Sequence, residues 1–174
     1  MQLDDYEIVS KQLGRPAAGF REVVCRRPDG TPAVIRVDSL VLKRPFPTLF
    51  WLTDTELDRE IGLLESRGLT SEFQNTIDAD PELQLALRND NLAHIELREG
   101  YMSDEVRRAI EDLNFYDTFQ TKGIGGNANF SRVRCLHCHV AAHLVVPNTI
   151  GKMLDEYFEQ MEHPILESFR HLSV

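Results

Sequence analysis

The chain has 174 residues, 42% hydrophobic and 27% charged, the make-up of an ordinary globular domain that buries roughly 70% of its unfolded surface in one core. A formal net charge of −9 argues against nucleic acid and anionic lipid as default partners. No apolar run nears the ~18 residues of a membrane span, and the acidic start MQLDDYEIVS lacks an export signature, so no membrane insertion and a cytoplasmic location are expected.

Asp4 or Asp5 caps a short helix predicted to run to about Leu13, where Gly14 and Pro16 stop it. Phe20 to Arg26 is rich in Val and Phe and reads as a strand. Pro28-Asp29-Gly30 is a turn, and Ala33 to Val37 is the returning strand. Leu40 to Leu42 and Thr48 to Leu52 are further β candidates, separated by Pro45-Phe46-Pro47, which breaks any continuous ladder.

After Thr53 the period changes. Asp54 or Thr55 opens a helix to about Arg67, with Leu57, Ile61 and Leu64 inward and Gly68 ending it. Pro81 opens another through Leu83, Leu87 and Leu92. Ser103-Asp104-Glu105 starts a third, with Val106, Ile110 and Leu113 inward. Thr121 to Phe130 reads as a loop, and Val133 to Val145 and Thr149 to Met161 as the last helices, with Pro147 between them. The expected fold is α+β: a small N-terminal antiparallel sheet in residues 1–53, packed against a mainly helical region, 54–174, in a single domain.

The most concentrated chemistry lies in Arg134-Cys135-Leu136-His137-Cys138-His139-Val140-Ala141-Ala142-His143, with five potential metal ligands in nine residues. At about 100° per residue, Cys135, Cys138, His139 and His143 share one broad helical face. His139 and His143 have the i, i+4 spacing that lets two imidazoles reach one ion. His137 points away on a full helix, and joins the group if Cys135 to His137 form the turn before it. Thiolate with imidazole suits zinc or a similar divalent metal, and Cys25 on the sheet is the remaining thiol. His94, His163 and His171 read as surface histidines.

The same run spells C-x-x-C-H, the haem c attachment pattern. Attachment normally needs an exported protein, so haem c is not expected. A third reading takes Cys135 or Cys138 as a nucleophile with His139 or His143 as its base.

Lys122-Gly123-Ile124-Gly125-Gly126-Asn127 precedes the segment. Glycines let backbone N–H groups turn towards an anion, and Lys122, Arg132 and Arg134 add positive charge. Gly125 and Gly126 with these cations form a candidate site for a small anionic ligand. The loop is not a P-loop, because no Gly-Lys-Ser/Thr follows.

Several runs together resemble the bacterial family known as domain of unknown function 501. They include Gly14-Arg15-Pro16, Pro45-Phe46-Pro47-Thr48-Leu49-Phe50-Trp51-Leu52-Thr53, Val133-Arg134-Cys135-Leu136-His137, Ala142-His143 and Asn148-Thr149-Ile150-Gly151. The resemblance implies a site built from Cys25, Cys135, His137, His143 and Asn148. It implies no activity. It points to protein partners in cell division or polyphosphate metabolism, and Cys138 lies outside the family motif.

The reading that best joins these features is a transition-metal domain, zinc-like, with ligands drawn from Cys25, Cys135, His137, His139 and His143. The alternatives are a small enzyme or sensor for a phosphorylated or carboxylated ligand, using Lys122, Gly125, Gly126, Arg132, Arg134 and Asn148, and an interaction module without chemistry.

Overall fold

A computed structural model describes residues 4–162. His163 and His171 lie outside the described residues. Helix α1 (Asp5–Leu13) begins where the Asp4 carboxylate accepts the Glu7 N–H at 2.8 Å, and ends at Gly14, whose φ of 65° suits a residue without a side chain. Strands β1 (Phe20–Arg26) and β2 (Pro32–Val37) form an antiparallel hairpin with several register shifts, and Gly30 takes φ 87° in its turn. A two-stranded ribbon, β3 (Leu40–Val41) with β4 (Arg44–Pro45), follows as a separate unit. The proline-rich run then leads into β5 (Phe50–Leu52), which pairs antiparallel with β2, so the sheet order is β1-β2-β5.

The sheet is covered on both faces, so β2 is buried at nearly every position. Val9, Ala17, Ile35 and Val37 form a small cluster with α1 on one side. Cys25, Val34, Phe50 and Leu52 join the main core under the helices on the other. The expected α+β fold, an N-terminal antiparallel sheet against a mainly helical body, is what the chain adopts.

Helix α2 (Thr55–Ser66) starts at Asp54, which accepts the Glu56 and Leu57 N–H groups and pairs with Arg27. Its Leu57, Ile61 and Leu64 are buried, as the spacing predicts. Directly after Gly68 comes α3 (Leu69–Ala79), which the sequence reading did not place, burying Leu69, Phe73 and Ile77 at i, i+4 and i+8. Asp80 caps α4 (Pro81–Tyr101), a 21-residue helix with proline in its first turn. Next come α5 (Asp104–Asp112), a short α6 (Tyr116–Thr121), a single 3₁₀ turn (Ile124–Gly126), α7 (Leu136–His143) and α8 (Thr149–Gln160). Leu92 and Leu113, expected inward, are exposed.

Helix α4 departs most from its sequence pattern. Its buried face is Leu87, Asn91, His94, Ile95 and Arg98, a polar stripe that an apolar count overlooks. His94 is therefore a core histidine and not a surface one, set edge-on to the Phe50 ring. Arg98 is wholly buried. Its guanidinium donates to the carbonyls of Pro47 at 2.7 Å, Phe119 at 2.5 Å and Lys122 at 2.8 Å. Burial lowers its pKa to about 10, so it stays charged at neutral pH. One turn earlier on the same face, Asn91 Oδ1 accepts the Ile124 N–H at 3.0 Å. Two side chains of α4 thus hold the glycine loop and the proline-rich run together.

Replacing Arg98 by Met removes three donors and leaves buried carbonyls unpaired, an expected loss of about 3 kcal/mol or more. Lys at this position restores only part, because one ammonium cannot reproduce the planar fork. Urea unfolding midpoints of the three proteins, in the order Arg, Lys, Met, check this.

Candidate metal centre

The site forms where α7 begins, and its neighbours fix that starting point. Gln74 on α3 accepts the Val133 N–H at 2.8 Å and donates to the Ser131 carbonyl at 3.0 Å. Asn127 donates to the carbonyls of Asn129 and Arg132. These contacts commit the backbone of 131–133 outside any helix. Cys135, with φ −154° and ψ 123°, becomes the N-cap, and the helix starts at Leu136 instead of Val133.

Helix α2 lies beneath that first turn. Asp58, Gly62 and Glu65 follow one another at i, i+4 and i+7 along one face. Glu65 Oε1 accepts the Leu136 N–H at 2.5 Å, so a carboxylate from another helix caps α7. The His137 ring lies above Gly62, where an added Cβ would meet it at 3.9 Å.

The two ring nitrogens of His137 have different tasks. Nε2 is 3.0 Å from the Asp58 backbone carbonyl, which can only accept, so Nε2 carries a proton. Nδ1 faces Glu65 Oε2 at 3.2 Å and Cys135 Sγ at 3.8 Å. One donor atom from each of Glu65, Cys135 and His137 lies within 4.8 Å of the other two, all on half-buried residues. The hydrogen bond to Cys135 raises the His137 pKa to about 9 against the opposing effect of burial, so a proton also sits on Nδ1 at neutral pH. A hydrogen bond from the Cys138 thiol, with His137 beside it, pulls the Cys135 pKa down. The same bond to Cys135, together with burial, pushes Cys138 up. Cys135, His137 and Cys138 also line a cavity of about 250 Å³ with Phe50, Trp51, Leu52 and Asp58.

The other sequence candidates lie around this group. Cys25 is buried in the main core on β1, where burial and then Asp54 raise its pKa. His139 is 1% exposed, and its Nδ1 meets no hydrogen-bond partner among the described residues. His143 accepts the Asn148 N–H on Nδ1 at 3.1 Å and faces Asp155 with Nε2 at 3.2 Å. Gly151 lets α8 approach it, since an added Cβ would stand 1.9 Å from the His143 ring. Asn148 caps α8 by accepting the Gly151 N–H and donates to the His139 carbonyl. The far end of α7 is thus latched to α8.

The glycine loop packs inward. A Cβ on Gly123 would stand 2.2 Å from Asn91 Oδ1, and one on Gly126 3.2 Å from Pro47. Gly125, at φ 63°, lies directly against Cys138. The Lys122 carbonyl is taken by Arg98, Arg132 pairs with Asp78 at 3.4 Å, and Arg134 is exposed.

Glu65 is the ligand candidate that sequence reasoning missed. It stands 70 positions before Cys135 on an unrelated helix. Its only local signal is the Asp58, Gly62, Glu65 stripe, a glycine among carboxylates about 100° round the helix from the buried Leu57, Ile61 and Leu64.

Residues 23–156 match the family described as protein of unknown function DUF501. The chain belongs to that family. No curated protein and no solved structure matches the chain. Among the described residues of this DUF501 member, no helix is long and apolar enough to cross a membrane.

Burial holds His94 at a pKa of about 3 and His139 at about 4, against roughly 6.5 in an unfolded chain. Both folded values are depressed, so below pH 6.5 the unfolded chain binds more protons. Stability is then full above pH 6.5 and falls as pH is lowered towards the folded values. Near pH 5 each histidine contributes a slope approaching about 1.4 kcal/mol per pH unit. His94→Phe, which keeps the ring contact with Phe50, should flatten the dependence between pH 6.5 and 5 by about that amount in denaturant titrations.

Proposed function

We propose that this DUF501 protein binds one divalent transition-metal ion of the zinc class through Glu65, Cys135 and His137. The observation that carries the reading is the spacing of the donors. A tetrahedral zinc ion with ordinary bond lengths sets a thiolate sulfur and an imidazole nitrogen about 3.6 Å apart, and imidazole nitrogen and carboxylate oxygen about 3.3 Å apart. The corresponding separations are 3.8 and 3.2 Å. The donors hold ion-like separations around the proton on Nδ1, and exchanging that proton for a metal requires little rearrangement.

The surroundings support the same reading. The Asp58 carbonyl fixes the tautomer that presents Nδ1, as the outer partner of a metal-bound histidine does. Two anionic donors with one neutral imidazole leave the ion nearly neutralised, and sulfur with nitrogen and oxygen suits zinc or a close neighbour in the first transition row. Cys25, His139 and His143 support the helix that presents the donors. With three protein ligands, the fourth coordination position is left to the cavity bounded by Phe50, Trp51, Leu52 and Asp58. An ion held in this way activates water or polarises a substrate oxygen. The reading goes with a reducing, cytoplasmic compartment, in which the Cys135 thiolate persists.

Protein purified anaerobically should carry or take up one equivalent of zinc. Glu65→Gln, which still accepts the Leu136 N–H, Cys135→Ser and His137→Ala should each lose it, while His94→Phe keeps it. Uptake at pH 7 should release about one proton, from Nδ1 of His137. Elemental analysis and calorimetry in two buffers of different ionisation enthalpy read both results. A wild-type protein that takes up no transition metal on titration would overturn the reading.

A further inference from the structure

Cys138 has no place in the donor set, yet it sits beside it in a particular geometry. Cys135 is the N-cap of α7 and Cys138 the third residue of the helix. Across one turn their Cα atoms are separated by about 5 Å, inside the range a disulfide spans. Both are half-buried and both line the 250 Å³ cavity, whereas Cys25 is 8% exposed within the core. The 3₁₀ turn closes the opposite side of Cys138. A Cβ on Gly125 would stand 2.8 Å from Cys138 Cβ and 2.9 Å from its sulfur, so only glycine lets the loop pack this closely. His137, between the two cysteines, puts Nδ1 3.8 Å from the Cys135 sulfur. The cavity brings Phe50, Trp51 and Leu52 to the same mouth, an apolar surface for whatever carries the reacting sulfur.

We propose that Cys135 and Cys138 are a dithiol/disulfide couple that exchanges with disulfide substrates held in this cavity. In the metal-free protein, Cys135 gives up its thiol proton and attacks one sulfur of a substrate R–S–S–R′. A Cys135–S–R bond forms, the substrate S–S bond breaks, and R′S⁻ leaves, taking that proton. Cys138 then gives up its thiol proton and attacks Cys135 Sγ, expelling RS⁻, which takes that proton. Two electrons and two protons pass from the protein dithiol to the substrate, which leaves as two thiols. An external dithiol reverses the sequence and restores the pair.

This activity does not depend on the metal reading, although a bound ion would block it by occupying Cys135. Cys138→Ala separates the proposals: it keeps the metal donors Glu65, Cys135 and His137 and removes the resolving thiol, so it should take up zinc as the wild type does and fail to close the disulfide.

The test uses the full chain with chelator, incubated with glutathione disulfide and followed by intact mass and peptide mapping. The wild type should lose two hydrogens and yield a Cys135–Cys138 disulfide. Cys138→Ala and Cys138→Ser should stop at a glutathione adduct on Cys135 that persists at least about tenfold longer than in the wild type. A second arm supplies insulin as a protein disulfide, with dithiothreitol as reductant. Accelerated reduction of insulin assigns the substrate to protein disulfides, and turnover of glutathione disulfide alone assigns it to small ones. The proposal is overturned if no Cys135–Cys138 disulfide closes, if the adduct forms on Cys25, if Cys138→Ala clears its adduct as fast as wild type, or if neither disulfide is turned over. Circular dichroism of the alanine and serine variants confirms that they are folded.

Discussion

A single buried guanidinium organises this molecule. Among the described residues, Arg98 has no carboxylate partner in its hydrogen bonds. It holds three backbone carbonyls, from the run before β5, from α6 and from the glycine loop. A charge in this position is costly unless its donors are used, and the geometry of the fork decides which strands of chain can meet there. Carbonyls at the ends of short elements are otherwise unsatisfied, so the arginine takes the place that regular secondary structure fills elsewhere. That is how residues 113–135, with only short helices among them, can bring Ile124 and Val133 into the core.

The site inherits its precision from that arrangement through a short chain of contacts. Arg98 and Asn91 fix the glycine loop, the loop sets Gly125 against Cys138, and Gln74 with Asn127 delays the start of α7 until Leu136. At the other end, Asn148, Gly151 and His143 lock α7 to α8. Helix α7 has eight residues and would be marginal in isolation, so packing and these polar contacts hold it in place. Its first turn is thereby presented to α2 as a rigid element. That arrangement keeps the donor atoms of Glu65, Cys135 and His137 within 4.8 Å of one another.

Much of the fold was legible because its signals are local. Asp4 and Gly14 bound α1, Pro28-Asp29-Gly30 turns the hairpin, and Asp54 and Pro81 open their helices. Helix α3 is harder to place because Gly68 ends one helix and Pro81 opens another, although Leu69, Phe73 and Ile77 recur every four residues between them. His94 and the start of α7 were not legible in the same way. A histidine on a helix faces water or core according to what packs over it. Val133 carries helical patterning that tertiary hydrogen bonds override. The Cys/His cluster marked the region of the site, but no rule of spacing joins Glu65 to residues 135 and 137, because that link is made by helix packing alone.

On the two proposals, three occupants would compete for the same few ångströms. In the structure His137 Nδ1 lies between Cys135 Sγ, at 3.8 Å, and Glu65 Oε2, at 3.2 Å, and its raised pKa favours a proton there. A metal ion would replace that proton, and a disulfide to Cys138 would withdraw the sulfur altogether. Each draws on Cys135, so their stabilities are linked through one atom: whatever stabilises one state weakens the others by the same free energy. Glu65 divides the consequences. Its Oε1 holds the Leu136 N–H, so the helix start is anchored by one oxygen while Oε2 faces His137 Nδ1. The carboxylate can therefore gain or lose an ion on one side without releasing α7 on the other. A site built in this way can change its occupant while the surrounding core stays in place.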